Sequence, residues 1–128
     1  MDKKPVAFVT GATGFIGSHL VKRLHEINWD VHIIIRTNSN IDILGSIKNK
    51  VQIHIYDGTV QSLIKAMNEV KPDTVFHLAS FFTVQHQAKQ VDELIDSNIK
   101  FSTHLLEAMT VNNVRMLVNT GTSWQHYQ

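Results

Sequence analysis

The chain has 128 residues, no cysteine and a formal net charge of +1. That length makes one ordinary domain with a real core, and the lack of thiols excludes disulfides and thiolate chemistry. A near-neutral balance without a basic run argues against nucleic acid as a partner, and 43% hydrophobic with 18% charged residues is a globular composition. The apolar stretch from Val6 to Val9 is too short for a signal peptide and no segment is long enough to span a membrane, so a cytoplasmic location is expected.

From the N-terminus, Pro5–Thr10 is predicted as a buried strand. Phe15–Ile27 follows as a helix with Ile16, Leu20, Leu24 and Ile27 on one face, and Asn28 is suited to a left-handed cap. Val31–Arg36 is the second strand and Val51–Tyr56 the third, bounded by Asp57-Gly58. Gln61–Val70 is a helix stopped by Lys71-Pro72-Asp73. Thr74–Leu78 is the fourth strand. Val91–Val111 is a long helix with Leu94, Ile95, Asn98, Leu105, Leu106 and Met109 inward, and Val114–Asn119 is the fifth strand. Continuous apolar strands alternating with helices predict an α/β fold: a Rossmann-like, doubly wound parallel sheet of order 3-2-1-4-5.

The most informative segment is Thr10-Gly11-Ala12-Thr13-Gly14-Phe15-Ile16-Gly17. Three glycines at Gly-x-x-Gly-x-x-Gly spacing join the first strand to the first helix. Such a turn points free backbone N–H groups and the positive end of a helix at one place, which suits a pyrophosphate. Glycine is required where a Cβ would block the phosphate or the packing of helix on strand. Ligands in such sheets bind beyond the carboxyl ends of the strands, at the switch between strands 1 and 4. The residues expected there are Gly11, Thr13, Gly14, Phe15, Ile16 and Gly17 after strand 1; Arg36 to Ser39 after strand 2; Asp57 and Gly58 after strand 3; Ala79 and Ser80 after strand 4; and Thr120 to Ser123 after strand 5. A carboxylate after strand 2 would hold the adenine-ribose hydroxyls and repel a 2′-phosphate. Arg36 instead favours NADP, with NAD as the alternative.

These motifs resemble the N-terminal part of an extended short-chain dehydrogenase/reductase, the NAD(P)-dependent epimerase/dehydratase family. The resemblance covers nearly the whole chain. The run from Thr10 to Leu20 is similar to the family fingerprint, and Asp57 to its adenine-contacting acid. Phe76-His77-Leu78-Ala79 resembles the strand-4 signature on the nicotinamide side, and Asn98 the long-helix asparagine associated with active-site order. Thr122 falls at the position of the catalytic serine or threonine. The resemblance implies cofactor contacts that include Leu78 and Asn98. It also implies hydride transfer at a carbon bearing oxygen, with Thr122 hydrogen-bonding that oxygen. The implied substrate is a small molecule, a nucleotide sugar. The segment Gly121 to Tyr127 looks most like the branch related to CDP-dideoxyhexose synthases, where Trp124 and His126 would line a sugar site or pack at a domain junction.

Two departures stand out. Phe101 occupies a position where relatives often carry glycine. The family's Tyr-x-x-x-Lys pair, which supplies the general acid/base, is absent: Tyr56 is followed four residues on by Val60, and Tyr127 is second to last. The expectation is therefore a dinucleotide-binding domain over residues 1–128, cut after strand 5, without the dyad and substrate domain and without turnover. It should form a homo-oligomer through the Met116-Leu117-Val118 edge or the adjacent helix. Two other readings are a non-catalytic NADP-binding regulator and a reductase of small carbonyl compounds. The eight histidines do not form a metal motif, His19 and His25 lying on different helix faces. His77 is expected as a hydrogen-bonded core histidine, and Phe81-Phe82 as packing near the cofactor cleft.

Overall fold

The apolar runs form one parallel sheet in the order β3-β2-β1-β4-β5. The computed structural model describes residues 2–126. The strands are β1 (Val6–Thr10), β2 (Asp30–Arg36), β3 (Gln52–Tyr56), β4 (Thr74–His77) and β5 (Leu117–Asn119); the helices are α1 (Phe15–Glu26), α2 (Val60–Val70), α3 (Val91–Ile95) and α4 (Phe101–Val111). A π turn, Asp96–Lys100, joins α3 to α4 and makes them one continuous helix. Thr10 is in register with Ile34 on one side and His77 on the other, so the central strand ends level with both neighbours.

β1 is buried along its whole length, which is why its five residues carry no charge. Alternation along the strands divides the core into two layers. Ala7 and Val9 of β1, with Val31 and Ile33 of β2, pack on Val21 and Leu24 of α1. Phe8, Ile34 and Val75 face the other way, onto Leu63 and Met67 of α2 and Leu105, Ala108 and Met109 of α4. Removing a ring such as Phe8, which has no exposed surface, would cost about 3–5 kcal/mol.

Both helix faces read from the sequence need correction. α1 buries Gly17, Ser18, Val21 and Leu24, while Ile16 and Ile27 are exposed. The reason lies at Gly17, whose Cα rests on the Gly11 carbonyl and fixes the rotation of the helix. On the long helix Phe101, Leu105, Ala108 and Met109 are buried, and Ile95, Asn98 and Leu106 are exposed. The π turn adds a residue to the helical period and rotates α3 against α4, so no single stripe runs through both. Phe101 fits the space available: its ring meets the edge of Tyr56 at 4.8 Å and lies 5.8 Å from His77.

Asn28 adopts a left-handed conformation at φ 69° after α1, as expected of a cap. The 3₁₀ segment Asp42–Asn49 was not foreseen; it buries Leu44 and Ile47 beneath α1, and its i, i+3 spacing is too short to show as helix periodicity. β5 is shorter than Val114–Asn119 and pairs only with β4. Among the described residues no helix is long and apolar enough to cross a membrane.

The contact at Gly17 yields a stability prediction. A Cβ there overlaps the Gly11 carbonyl, which is backbone and has no room to move. Gly17→Ala is expected to destabilise the domain by about 1–3 kcal/mol, seen as a lower urea midpoint. Gly58→Ala, at φ +93° in open space, should cost less, about 1 kcal/mol. Equal midpoints for Gly17→Ala and the parent chain would contradict this packing.

Candidate functional site

The carboxyl ends of the strands open into a cleft of about 510 Å³. Its floor is the β1–α1 turn. Gly11 turns the chain at φ +72°, and a Cβ on it would lie 2.6 Å from both Leu78 C and Ala79 N. The loop after β4 therefore closes directly over the glycine. Gly14 caps α1 in an extended conformation, its N–H donating to Gly11 O at 3.1 Å. No side chain caps this helix, so its first-turn N–H groups lack intrahelical acceptors, and its cap residue Gly14 lines the cleft.

A buried polar group ties the switch point together. Thr10 Oγ1 accepts from the N–H groups of Leu78 and Ala79, both at 3.1 Å. It also lies 2.7 Å from His77 Nδ1, and His77 Nε2 reaches Ser102 Oγ on α4 at 3.1 Å. His77 is thus a hydrogen-bonded core histidine, and burial pushes its pKa down.

Gly11, Thr13, Gly14, Arg36, Asp57, Gly58, Leu78, Ala79 and Ser80 line the cleft together, as do Thr37 and Ser39. The Arg36 end is a tight turn: Ser39 N–H donates to Arg36 O at 3.0 Å, and Arg36 N–H to Ser39 Oγ at 3.1 Å. The Asp57 carboxylate accepts from Thr59 Oγ1 and N–H at 2.6 and 2.9 Å, bonds that hold its pKa low and keep it ionised. Phe15, Ile16 and Gly17, expected at the site, are not among the residues that line the cleft; Phe15 and Ile16 are 75% and 68% exposed.

Asn98 stands apart from the cleft lining. Its side chain clamps the backbone of Phe81, accepting from the N–H at 2.9 Å and donating to the carbonyl at 2.8 Å. It orders the loop after β4 from the π turn. Thr122 follows β5, is exposed, and accepts from Trp124 N–H at 3.3 Å; it too lies outside the cleft lining. Phe82 does not pack near the cleft: it is exposed and meets the ring of Trp124 edge-on at 5.8 Å. The expectation for Tyr127 falls outside the described residues.

The long helix adds wall residues that sequence reasoning missed: Asp96, Ser97, Lys100 and Phe101, with Tyr56 from β3. Only the π turn brings Asp96, Ser97 and Lys100 toward the sheet, and no sequence signal marks such a turn. Tyr56 Oη is 2.9 Å from His104 Nδ1; burial first, then Asp96 and Asp57, raise its pKa. No group of three metal-ligating side chains occurs among the described residues.

Comparison with known proteins agrees with the fold. A family model described as "NAD dependent epimerase/dehydratase family" matches residues 7–125. A dTDP-D-glucose 4,6-dehydratase from Dictyostelium discoideum is 29% identical over 121 residues, 89% of this chain and 28% of that protein. A UDP-glucose 4-epimerase from Neisseria meningitidis is 33% identical over 116 residues, 86% of this chain and 34% of that protein. Among solved structures, a UDP-glucose-4-epimerase from Stenotrophomonas maltophila with bound NAD and formylated UDP-arabinopyranose superposes with a TM-score of 0.81 at 29% identity. That match covers 95% of this chain and 38% of that one. The chain thus spans about a third of the length of the relatives it matches.

Burial depresses the pKa of His77, and burial with the neighbouring His32 depresses that of His54. The unfolded chain then takes up protons that the folded state refuses, so stability is full above the ordinary histidine value of about 6.5 and falls as the pH drops below it. Urea midpoints should fall between about pH 7.5 and 5.5, and His54→Asn should shrink that fall. A midpoint flat over this window would contradict the burial of both rings.

Proposed function

The chain belongs to the NAD dependent epimerase/dehydratase family, and from that premise we propose that the cleft holds a nicotinamide dinucleotide, NADP in preference to NAD. The observation that carries the reading is the β1–α1 turn, where bare Cα atoms at Gly11 and Gly14 line the cleft at the N-terminus of a helix that no side chain caps. The first-turn N–H groups of that helix would hold the pyrophosphate. Arg36, Thr37 and Ser39 would hold the 2′-phosphate, since this stretch after β2 offers a guanidinium and hydroxyls but no carboxylate. The ionised Asp57 and the ring of Phe101 would border the adenine, and Leu78, Ala79 and Ser80 the nicotinamide side.

When bound, the nicotinamide supplies a hydride donor or acceptor. The whole protein would use it on a nucleotide sugar, the substrate class in the names of the relatives above. Thr122 would donate its hydroxyl proton to the sugar oxygen at the reacting carbon. Proton transfer needs a further group. Tyr56, the one tyrosine among the described residues, has its hydroxyl tied to His104 and its pKa raised, the wrong direction for a general acid/base at neutral pH. The 128-residue chain alone would therefore bind cofactor without turning over substrate. It would also self-associate, since β5 leaves an edge with Met116 and Val118 exposed.

Calorimetry tests the cofactor reading. NADPH should bind more tightly than NADH by about 1–3 kcal/mol, and Arg36→Ala should erase the difference. Equal affinities in the parent chain would overturn the preference. Gly14→Val, whose Cβ would meet protein only at Gly11 O, 3.3 Å away, should abolish binding while circular dichroism stays native. Binding retained by a folded Gly14→Val would place the phosphates elsewhere. Sedimentation should show a dimer at high concentration; a clean monomer would contradict the edge contact.

A further inference from the structure

The hydrogen bonds at Thr10 fix the protonation of a residue that the proposed reaction does not use. A threonine hydroxyl has one proton and two lone pairs. Leu78 and Ala79 N–H occupy both lone pairs, at 3.1 Å each. The single proton must then go to the remaining neighbour, His77 Nδ1, at 2.7 Å. Nδ1 is therefore bare and the ring carries its proton on Nε2, which donates to Ser102 Oγ at 3.1 Å. Thr10 has no exposed surface and His77 is buried, so the bond between them is shielded from water.

We propose that His77, as its Nε2–H tautomer, is a positioning residue for the dinucleotide: by taking the Thr10 proton it lets one oxygen hold both loop amides against the glycine turn. This rests on the cofactor reading above. Leu78 and Ala79 line the cleft and are also the atoms packed on Gly11, so their placement sets the width of the cleft at the switch point. A proton on Nδ1 reverses the bond. Thr10 Oγ1 would then face three donors with two lone pairs; the Leu78 N–H, which also donates to the Thr10 carbonyl at 3.3 Å, would keep that partner, and the half-buried Ala79 N–H would lose its acceptor.

The surroundings offer the ring no charged partner. β1 and β5 carry no titratable side chain. The long helix carries Asp92, Glu93, Asp96, Lys100, His104 and Glu107, of which Asp96 pairs with Lys100 at 3.8 Å and His104 with Tyr56 at 2.9 Å. Among the described residues the ring's hydrogen-bond partners are Thr10 and Ser102, and its aromatic neighbour is Phe101.

Two measurements on the full chain test this. Nitrogen-15 NMR of the imidazole reads the tautomer without any cofactor. A bare Nδ1 with a protonated Nε2 at about pH 8 is expected, and the opposite tautomer overturns the proposal. NADH titrations at pH 8, where the ring is neutral, then read the positioning. His77→Asn, which keeps an acceptor at the δ position, should bind within a few-fold of the parent, and His77→Leu about tenfold more weakly. A folded His77→Leu that binds as the parent does overturns the proposal, as does a folded His77→Asn that binds no better than His77→Leu. If the parent chain binds neither NADH nor NADPH at pH 8, the cofactor reading fails instead. The positioning claim is then decided by amide exchange at Ala79, which should quicken in His77→Leu and would refute it by staying unchanged.

Discussion

The backbone of the β1–α1 turn and the backbone of the loop after β4 touch with no side chain between them, and the remaining architecture is arranged around that contact. Gly11 is the only kind of residue that fits, for reasons of φ and of space together. Gly17 repeats the demand one helical turn on, seating α1 against the same carbonyl. With α1 fixed in this way, its cap residue Gly14 lines the cleft, and the sheet order that puts β4 beside β1 brings Leu78 and Ala79 to the cleft as well. Thr10 supplies the polar counterpart of the contact. Its buried hydroxyl would be a liability if half-satisfied, and here every bonding position is filled.

Polarity along the cleft follows from what each strand carries at its end. β2 ends in a cation, and β3 is followed by the Asp57 carboxylate, kept ionised by Thr59. The glycine turn between β1 and α1 contributes dipoles without net charge. A ligand that is anionic at one end, hydrogen-bonding at the other and pyrophosphate-linked in between is complementary to this series. The relatives are about three times as long as this chain. The residues that line the cleft come from the ends of β1 to β4 and from the long helix, while Thr122 after β5 stands outside it.

Much of this was legible in the sequence because it depends on local chemistry. Five apolar strands, their parallel order and the glycine turn follow from residue type and spacing alone, and so does the cluster of Arg36, Asp57 and Ala79 at the strand ends. Other features escaped for identifiable reasons. The face of α1 was set by a backbone contact at Gly17, not by the most hydrophobic residues, so Ile16 and Ile27 misled. The π turn at Asp96–Lys100 has no compositional mark, and without it Lys100 and Ser97 could not be assigned to the cleft. Phe101 departed from the family pattern, and the structure shows the room it fills against Tyr56 and His77. Asn98 was singled out by resemblance; its physical task, a two-bond clamp on Phe81, required coordinates.

The most direct test of the account is a map of backbone amide shifts in the isotope-labelled chain as NADPH is added. If the glycine turn is the pyrophosphate site, the largest changes fall on residues 11–17, with a second group at Arg36 to Ser39 and a third at Leu78 to Ser80. Changes confined to other surfaces, such as the exposed side of α4, or no changes at saturating NADPH, would contradict the claim that this cleft holds the dinucleotide.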